Sequence, residues 1–178
     1  MIVLDAYAVL AFLKAEPAAP EVRTLLRGHE PAALTVVGVA EVLDHLIRIV
    51  GVHEEEAALD LAQLGLLDAK IVDASTGAAA GRLRARRYHR TRCAVSLADC
   101  IAAETTRLLD AELATSDPHL LDVCHEEHIE VHPLTATNGS IWQPPPSLPR
   151  GTQDASVLSY GCASPPSTAS TSPEQPIG

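Results

Sequence analysis

The segment Ile2-Val3-Leu4-Asp5 has the composition of a short buried β-strand that ends at a carboxylate. Two of its three apolar residues are β-branched, and the apolar helical pattern of residues 6–13 follows directly. In an open parallel sheet, ligands bind in the crevice outside the carboxyl ends of the strands. Asp5 is therefore the first candidate functional residue, and N-capping of the following helix is the alternative role for its side chain.

The overall composition indicates one α/β domain. A chain of 178 residues is long enough for one domain with a sizeable core and too short for two ordinary ones. Hydrophobic residues make up 47% of the chain, but aromatic residues make up only 3%. The core must therefore consist of Ala, Leu, Val and Ile, which is typical of helices packed on a parallel sheet.

The distribution of charge and cysteine limits the class of protein. No segment resembles a membrane span or a secretion signal, so we expect a cytoplasmic protein that does not enter a membrane. The cysteines are irregularly spaced and include no C-x-x-C pair, so we expect reduced thiols rather than a zinc ribbon or a disulfide framework. A formal net charge of −10 argues against a nucleic-acid partner unless the positive charges are clustered.

Helical and strand patterns alternate over residues 1–134. We predict helices at 6–14, from Pro20 to about 27, and at 36–50, 54–64, 75–89, 96–109 and 118–127. We predict strands at 2–4, 66–72, 112–115 and 129–132. Strands that alternate with helices form right-handed crossovers, so the pattern predicts a parallel β-sheet flanked by helices.

The composition changes at Thr135. Pro, Ser, Thr and Gly account for more than half of residues 135–178, and two proline runs interrupt any periodicity. Such a segment buries too little apolar surface to offset the entropy of ordering it. We therefore predict a folded domain at 1–134 and a disordered tail at 135–178.

Acidic residues follow strands or lie on inward helix faces at four places: Asp5, Glu41, Asp99 and Asp117. Each of the last three also has a structural explanation. Glu41 could lie on the solvated side of its helix, Asp99 could form a capping box with Ser96, and Asp117 could be an N-cap. Three of the four are nevertheless expected at one edge of the sheet, where side chains converge.

Convergent carboxylates need a cation to hold them together. Two unit charges about 4 Å apart repel by roughly 4 kcal/mol at an effective dielectric constant near 20. A cluster of acids therefore raises its own pKa values unless a cation is bound. Hard oxygen ligands favour Mg²⁺ or Mn²⁺.

The order of these acids resembles that in PIN-domain ribonucleases, in particular the VapC-type toxins of bacterial toxin–antitoxin pairs. The resemblance covers roughly residues 1–134. Four motifs in the family's order carry it: Met1-Ile-Val-Leu-Asp5-Ala-Tyr-Ala-Val-Leu, Val39-Ala-Glu41-Val-Leu, Ser96-Leu-Ala-Asp99-Cys100-Ile-Ala-Ala and Leu113-Ala-Thr115-Ser-Asp117.

The resemblance implies an activity, a cofactor and partners. Asp5 and Asp99 would hold Mg²⁺, or Mn²⁺, and Glu41 and Asp117 would complete the acidic site. The implied reaction is cleavage of single-stranded RNA by a metal-activated water. The family also implies a three-layer α/β/α fold, a homodimer and a cognate antitoxin that blocks the cleft. Tyr7 stands where the family often has Ser or Thr, and the tail is not part of the family pattern.

Other classes of function share part of this pattern. A phosphatase of the haloacid dehalogenase type needs a second Asp at position 7, which is Tyr, and is therefore disfavoured. The remaining alternative is a PIN-fold binding module whose acids are inactive and which sequesters a protein partner. Metal-dependent RNA cleavage would distinguish the two.

A run of arginines precedes the third motif. Six arginines fall within eleven residues that contain no acid, and we interpret them as contacts to the RNA backbone: Arg82, Arg84, Arg86, Arg87, Arg90 and Arg92. The alternative is a solvated helix face whose arginines pair with the acids of 54–56.

The segment Cys124-His125-Glu126-Glu127-His128 invites comparison with zinc proteases. It contains neither H-E-x-x-H nor the reversed H-x-x-E-H, because position 124 is Cys. We therefore expect surface residues of the last helix rather than a zinc site.

Overall fold

A four-stranded, all-parallel sheet forms the centre of the domain. The computed structural model describes residues 1–145, so the predicted disorder of 146–178 lies outside the described residues. The sheet has the order β2-β1-β3-β4. Its strands are β1 (Ile2–Leu4), β2 (Ala32–Ala33), β3 (Glu112–Thr115) and β4 (Val131–Pro133).

Helices connect these strands and cover both faces of the sheet. They are α1 (Ala6–Leu13), α2 (Ala19–Arg27), α3 (Val36–Asp44), α4 (Glu54–Gln63), α5 (Ala74–Arg87), α6 (Leu97–Leu108) and α7 (Pro118–Glu126). The end of α3 continues as a π-helical segment, His45–Val50. All predicted helices are confirmed within two residues of their bounds, apart from this change of helix type.

Successive side chains of β1 enter two separate hydrophobic clusters, because neighbouring residues in a strand point to opposite faces. Ile2 and Leu4 join the cluster formed with α1 to α4. Val3 joins the cluster formed with α5, α6 and α7. The predicted parallel sheet between two helical layers is therefore confirmed.

The strand predicted at 66–72 is wrong. Within residues 1–145, the β-pairing of this segment is limited to one parallel bridge between Thr35 and Lys70. Leu66 is buried, but Ile71 is 85% exposed, so the apolar residues of the segment do not form a buried row. Apolar composition without burial on a sheet face does not make a strand.

The sequence prediction also missed β2. This strand consists of two alanines that pair in parallel with Ile2 and Val3. Alanine has low strand propensity, and two residues are too short for a periodic pattern. The last strand was predicted at 129–132, and it begins two residues later, at Val131.

Residues 135–145, which fall in the segment predicted as a tail, contact the folded domain. The backbone N–H and the hydroxyl of Thr135 both donate to the carboxylate of Glu21. The indole Nε1 of Trp142 donates to Asp122 Oδ1 at 2.9 Å, and its ring meets that of His125 edge-on. Within residues 1–145, no helix has both the length and the apolar character to cross a membrane.

Candidate active site

Asp5 lies directly after β1, at the N-terminus of α1, and is 6% exposed. Its side chain makes no capping hydrogen bond to the helix, so the capping alternative is wrong. Instead, Asp5 Oδ2 accepts a hydrogen bond of 2.9 Å from the hydroxyl of Thr115 at the end of β3. The carboxylate is thus held by a neighbouring strand rather than by its own helix.

Thr115 also holds Asp117, which lies two residues further along the chain. Its fully buried hydroxyl accepts a hydrogen bond of 3.1 Å from the backbone N–H of Asp117. Asp117 Oδ1 in turn accepts from the backbone N–H groups of His119 and Leu120, at 2.7 and 3.3 Å. The predicted N-cap is therefore present, and both capping bonds use the same oxygen of Asp117.

Asp99 forms the predicted capping box with Ser96. Its backbone N–H donates to Ser96 Oγ at 3.0 Å, and its Oδ2 accepts from the backbone N–H of Ser96 at 2.6 Å. This box begins α6 and fixes the carboxylate where the helix meets the sheet edge. A capping role and a place in the site are thus compatible for Asp99.

The four acids predicted from the sequence line one cleft of about 580 Å³. Glu41 reaches it from α3 and is partly buried there, so the alternative of a fully solvated Glu41 is wrong. No Lys or Arg is among the described residues that line the cleft, which are Asp5, Ala6, Tyr7, Leu10, Glu41, Asp44, His45, Asp99, Ser116, Asp117, Pro118, Ala136 and Thr137.

The electrostatics of the cleft are dominated by burial and by repulsion between carboxylates. Burial, followed by the charge of Asp99, raises the pKa of Asp5 to about 7. The charges of Glu41 and Asp117 raise the pKa of Asp5 further, whereas the hydrogen bond from Thr115 lowers it. Burial and Asp99 also raise the pKa of Glu41. The acids therefore act on one another, as a shared site requires.

Asp99 experiences opposing influences. Burial raises its pKa, and the charge of Asp117 acts in the same direction. The hydrogen bonds from Ser96 and the positive charge of Arg84 lower it. The positive charge of Arg84, one member of the arginine run, therefore acts on the acidic site.

The chemistry of the donors fits a hard divalent cation. The cleft is lined by five acids, the four predicted ones and Asp44, and by no Lys or Arg. Asp44 pairs with Arg48, which leaves the carboxylate oxygens of the four predicted acids without an arginine or lysine partner in the cleft lining. Such oxygen-rich, negatively charged sites favour Mg²⁺ or Mn²⁺. Within residues 1–145, no three His, Cys, Asp or Glu side chains already stand in an arrangement that would hold a metal ion. The fit therefore rests on donor type and charge.

The sequence prediction missed several residues of the cleft. Tyr7 lines the cleft and Thr115 binds Asp5, but the sequence prediction gave neither residue a role in the site. Asp44, His45 and Thr137 also line the cleft and were not identified, and Ser116 was included only as part of the fourth motif. A hydroxyl residue two positions before Asp117 was the one local signal that could have indicated a contact with the acids.

The arginines are divided between ion pairs and solvent. Arg87 pairs with Glu126 at 2.6 Å and with Glu127 at 2.7 Å, and Arg86 lies 3.4 Å from Glu127. The alternative of pairing with residues 54–56 is therefore wrong, because the acids come from the end of α7. The side chain of Glu127 is only 14% exposed, so its ion pairs are partly shielded from water.

Arg84 has a different environment from the other arginines. Its Nε donates to the backbone carbonyl of Val95 at 3.1 Å, and its guanidinium lies 4.2 Å from the centre of the Tyr88 ring. Arg82, Arg90 and Arg92 are exposed, and none of them forms an ion pair with an acid in the described part of the chain.

The segment 124–128 lies at the end of α7. His125 and His128 are exposed, as predicted, and Glu126 and Glu127 bind Arg87. Cys124 is fully buried in the core, so its prediction as a surface residue is wrong. The cause is the helical period, which turns this position towards α6 and the sheet.

Residues 2–126 match the family model described as PIN domain. The chain therefore belongs to the PIN domain family, as its motifs predicted.

Solved structures share the fold. VapBC2 from Rickettsia felis bound to a DNA fragment from their promoter contains a chain with 17% identity and a TM-score of 0.55, and the match covers 75% of this chain and 99% of that one. FitAcB from Neisseria gonorrhoeae gives 19% identity and a TM-score of 0.55, with 74% and 96% covered. Comparison with curated protein sequences gives no match.

Proposed function

We propose that this PIN domain is a metal-dependent endoribonuclease and the toxin of a toxin–antitoxin pair, and that it cleaves single-stranded RNA. The observation that carries the proposal is the buried carboxylate of Asp5, which shares one cleft with Glu41, Asp99 and Asp117. Burying a carboxylate beside other carboxylates is unfavourable without a cation. A purely structural role would not select such an arrangement.

Asp5 and Asp99 would hold the ion, Mg²⁺ or Mn²⁺, because Asp99 is the charge that acts most strongly on the buried carboxylate of Asp5. When bound, a divalent ion supplies Lewis-acid activation of the phosphodiester and of the attacking water. Thr115 keeps the Asp5 carboxylate in one orientation through its hydrogen bond. Ser96 does the same for Asp99, so both proposed ligands are oriented before the ion arrives.

Glu41 and Asp117 complete the acidic site from two other elements. Glu41 extends from α3, and Asp117 is fixed at the N-terminus of α7 by its capping bonds. Their carboxylates can accept hydrogen bonds from a water or a ribose hydroxyl that enters the cleft. We assign them to orienting the attacking water.

The RNA backbone would contact the arginines that are free of acids. Arg82, Arg90 and Arg92 are exposed and have no ion-pair partner among residues 1–145. Arg86 and Arg87 are neutralised by the acids of α7, so we assign them a structural role instead. Arg84, whose charge reaches Asp99, would lie between the exposed arginines and the cleft.

The proposed partners follow from the PIN family and from the fold shared with the VapBC2 and FitAcB chains. A cognate antitoxin would occupy the acidic cleft, and the toxin would form a homodimer. Induction of the chain in a bacterial host is expected to arrest growth, and coexpression of the cognate antitoxin is expected to restore it.

The decisive experiment is an RNA cleavage assay with the purified full chain. Single-stranded RNA should be cut with Mg²⁺ or Mn²⁺ and should remain intact in EDTA. Asp5→Asn should abolish cleavage. Asp110→Asn is the matched control, because Asp110 is exposed, lies outside the cleft and has a backbone conformation that Asn tolerates (φ 48°). Equal cleavage with and without EDTA would contradict the metal-dependent mechanism. If the folded wild-type chain does not cleave RNA but binds an antitoxin, the alternative of a binding module is favoured.

A further inference from the structure

Tyr7 forms one wall of the acidic cleft. It lies in the first turn of α1, two residues after Asp5, and is partly buried. Among residues 1–145, it is the one Phe, Tyr or Trp side chain that lines the cleft. An aromatic surface therefore stands beside the place where the scissile phosphate would bind.

The ring of Tyr7 is held in place at its far end. Its hydroxyl donates to Glu16 Oε2 at 3.0 Å, and Glu16 Oε1 is bound by Lys14 Nζ at 2.5 Å. Ser116 and Thr137 line the same cleft. Because its hydroxyl is hydrogen-bonded, the Tyr7 side chain has less freedom to leave the cleft. Its ring is therefore preorganised to bind a flat ligand.

We propose that Tyr7 positions the RNA substrate by stacking on the base of the nucleotide next to the scissile phosphate. This inference rests on the proposed ribonuclease function and adds a requirement to it: the stacked nucleotide must be unpaired. Stacking between a base and an aromatic side chain tolerates any base and strengthens binding roughly 5- to 150-fold. The proposed site therefore selects single-stranded RNA without reading its sequence at this position.

Phe12 provides a comparison within the same helix. It is also partly buried against the core, but it lies outside the cleft, and the Arg23 guanidinium is 5.8 Å from the centre of its ring. Both rings pack against the same hydrophobic cluster, so the loss of either removes packing from α1. Only Tyr7 is placed to contact a substrate in the cleft.

The binding test uses the full chain carrying Asp99→Asn, so that RNA is not cut. Short single-stranded oligonucleotides carry the fluorescent base 2-aminopurine at successive positions, and stacking quenches its fluorescence. One position should be quenched on binding. Tyr7→Leu should abolish that quenching and weaken binding 5- to 150-fold, whereas Tyr7→Phe, which keeps the ring, should retain the quenching. Phe12→Leu should behave like the parent.

The cleavage test uses the active chain and a substrate that lacks the base at the quenched position. Loss of the base should reduce kcat/KM for the wild type by the same 5- to 150-fold, mainly through KM. Tyr7→Leu should cleave intact and abasic substrates at the same reduced rate. Without the ring, the base has nothing to stack on, so its removal should cause no further loss.

Two results would overturn the stacking role. One is unchanged 2-aminopurine quenching in a folded Tyr7→Leu variant. The other is a loss of kcat/KM in Tyr7→Leu, on removal of the base from the substrate, as large as the loss in the wild type. A wild type that cleaves RNA while Tyr7→Leu cleaves equally well would refute this inference alone. A wild type that binds and quenches the oligonucleotide but never cuts it would refute the ribonuclease and support the stacking.

Discussion

The hydroxyl of Thr115 donates to Oδ2 of Asp5 across the ends of two adjacent parallel strands, at 2.9 Å. Both residues are buried, and they are separated by 110 positions in the chain. The same hydroxyl accepts from the backbone of Asp117. One side chain thus links two of the four acids and fixes their relative positions.

Replacing Thr115 with Val should impair both the fold and the site. Valine has nearly the same shape but removes the hydroxyl, which leaves a buried carboxylate oxygen and the Asp117 N–H without that partner. We expect a loss of about 1–3 kcal/mol in the free energy of unfolding. RNA cleavage should fall as well, because Asp5 is no longer oriented. Urea denaturation and a cleavage assay would measure the two effects.

Thr115→Ser is the matched control for that experiment. It keeps the hydroxyl and should retain most of the cleavage, although loss of a buried methyl group should lower stability slightly. A Val variant with the stability and activity of the wild type would show that the hydrogen bond has no role in either.

Truncation at two places should separate the contacts of residues 135–145 from the rest of the predicted tail. A chain ending at residue 145 keeps the bonds of Thr135 to Glu21 and of Trp142 to Asp122, and should melt like the full chain. A chain ending at 134 loses both, and its melting temperature should fall by about 2–8 °C, as expected for a loss of roughly 1–2 kcal/mol. Equal melting temperatures would place the domain boundary at 134.

Most of the fold could be predicted from local patterns. Helical periodicity located the helices, and the β-branched run before Asp5 located the central strand. The missed strand β2 and the strand wrongly predicted at 66–72 have a common cause. Whether a short segment forms a strand depends on which strand lies beside it in the fold. Ala32 and Ala33 form a strand because β1 lies beside them, whereas 66–72 is apolar but makes only the single bridge between Lys70 and Thr35 among the described residues.

Part of the candidate site could also be predicted from patterns in the sequence. Asp5 and Asp117 follow strands, so their arrival at one sheet edge could be expected from topology alone. The bond between Thr115 and Asp5 and the tether of Tyr7 to Glu16 are tertiary contacts between polar groups. They leave no periodic signal in the sequence, because each depends on a single pair of side chains.

The division of the arginines predicts two separate phenotypes. Replacing Arg82, Arg90 and Arg92 together with Ala should weaken RNA binding and reduce its salt dependence. The slope of log K against log salt should fall in magnitude by about 2, because each phosphate contact on a single strand contributes roughly 0.7. Thermal stability should change little, since these side chains are exposed.

Replacing Arg86 and Arg87 with Ala is the matched comparison. This change removes cationic partners of Glu127 and should lower stability by up to about 1 kcal/mol, with a smaller effect on the salt slope. Fluorescence anisotropy at several salt concentrations would measure the slopes. An unchanged slope in the Arg82, Arg90 and Arg92 variant would exclude these residues from the RNA contact.

Asp99 and Ser96 allow the structural and catalytic roles of one capping box to be separated. Asp99→Asn keeps an oxygen that can accept from the Ser96 N–H but removes the charge that repels Asp5 and Glu41. We expect this variant to lose RNA cleavage and to keep, or slightly increase, its stability without metal. Ser96→Ala removes the hydroxyl that accepts from the Asp99 N–H and should lower stability by about 1 kcal/mol.

Ser96→Ala should keep most of its cleavage, because the carboxylate of Asp99 and its bond to the Ser96 N–H both remain. The two variants should therefore show opposite patterns, one stable and inactive, the other less stable and active. Chemical denaturation and RNA cleavage at saturating Mg²⁺ would measure both properties in each variant. If Asp99→Asn cleaves RNA as fast as the wild type, Asp99 is only a helix cap and is not a ligand in the proposed metal site.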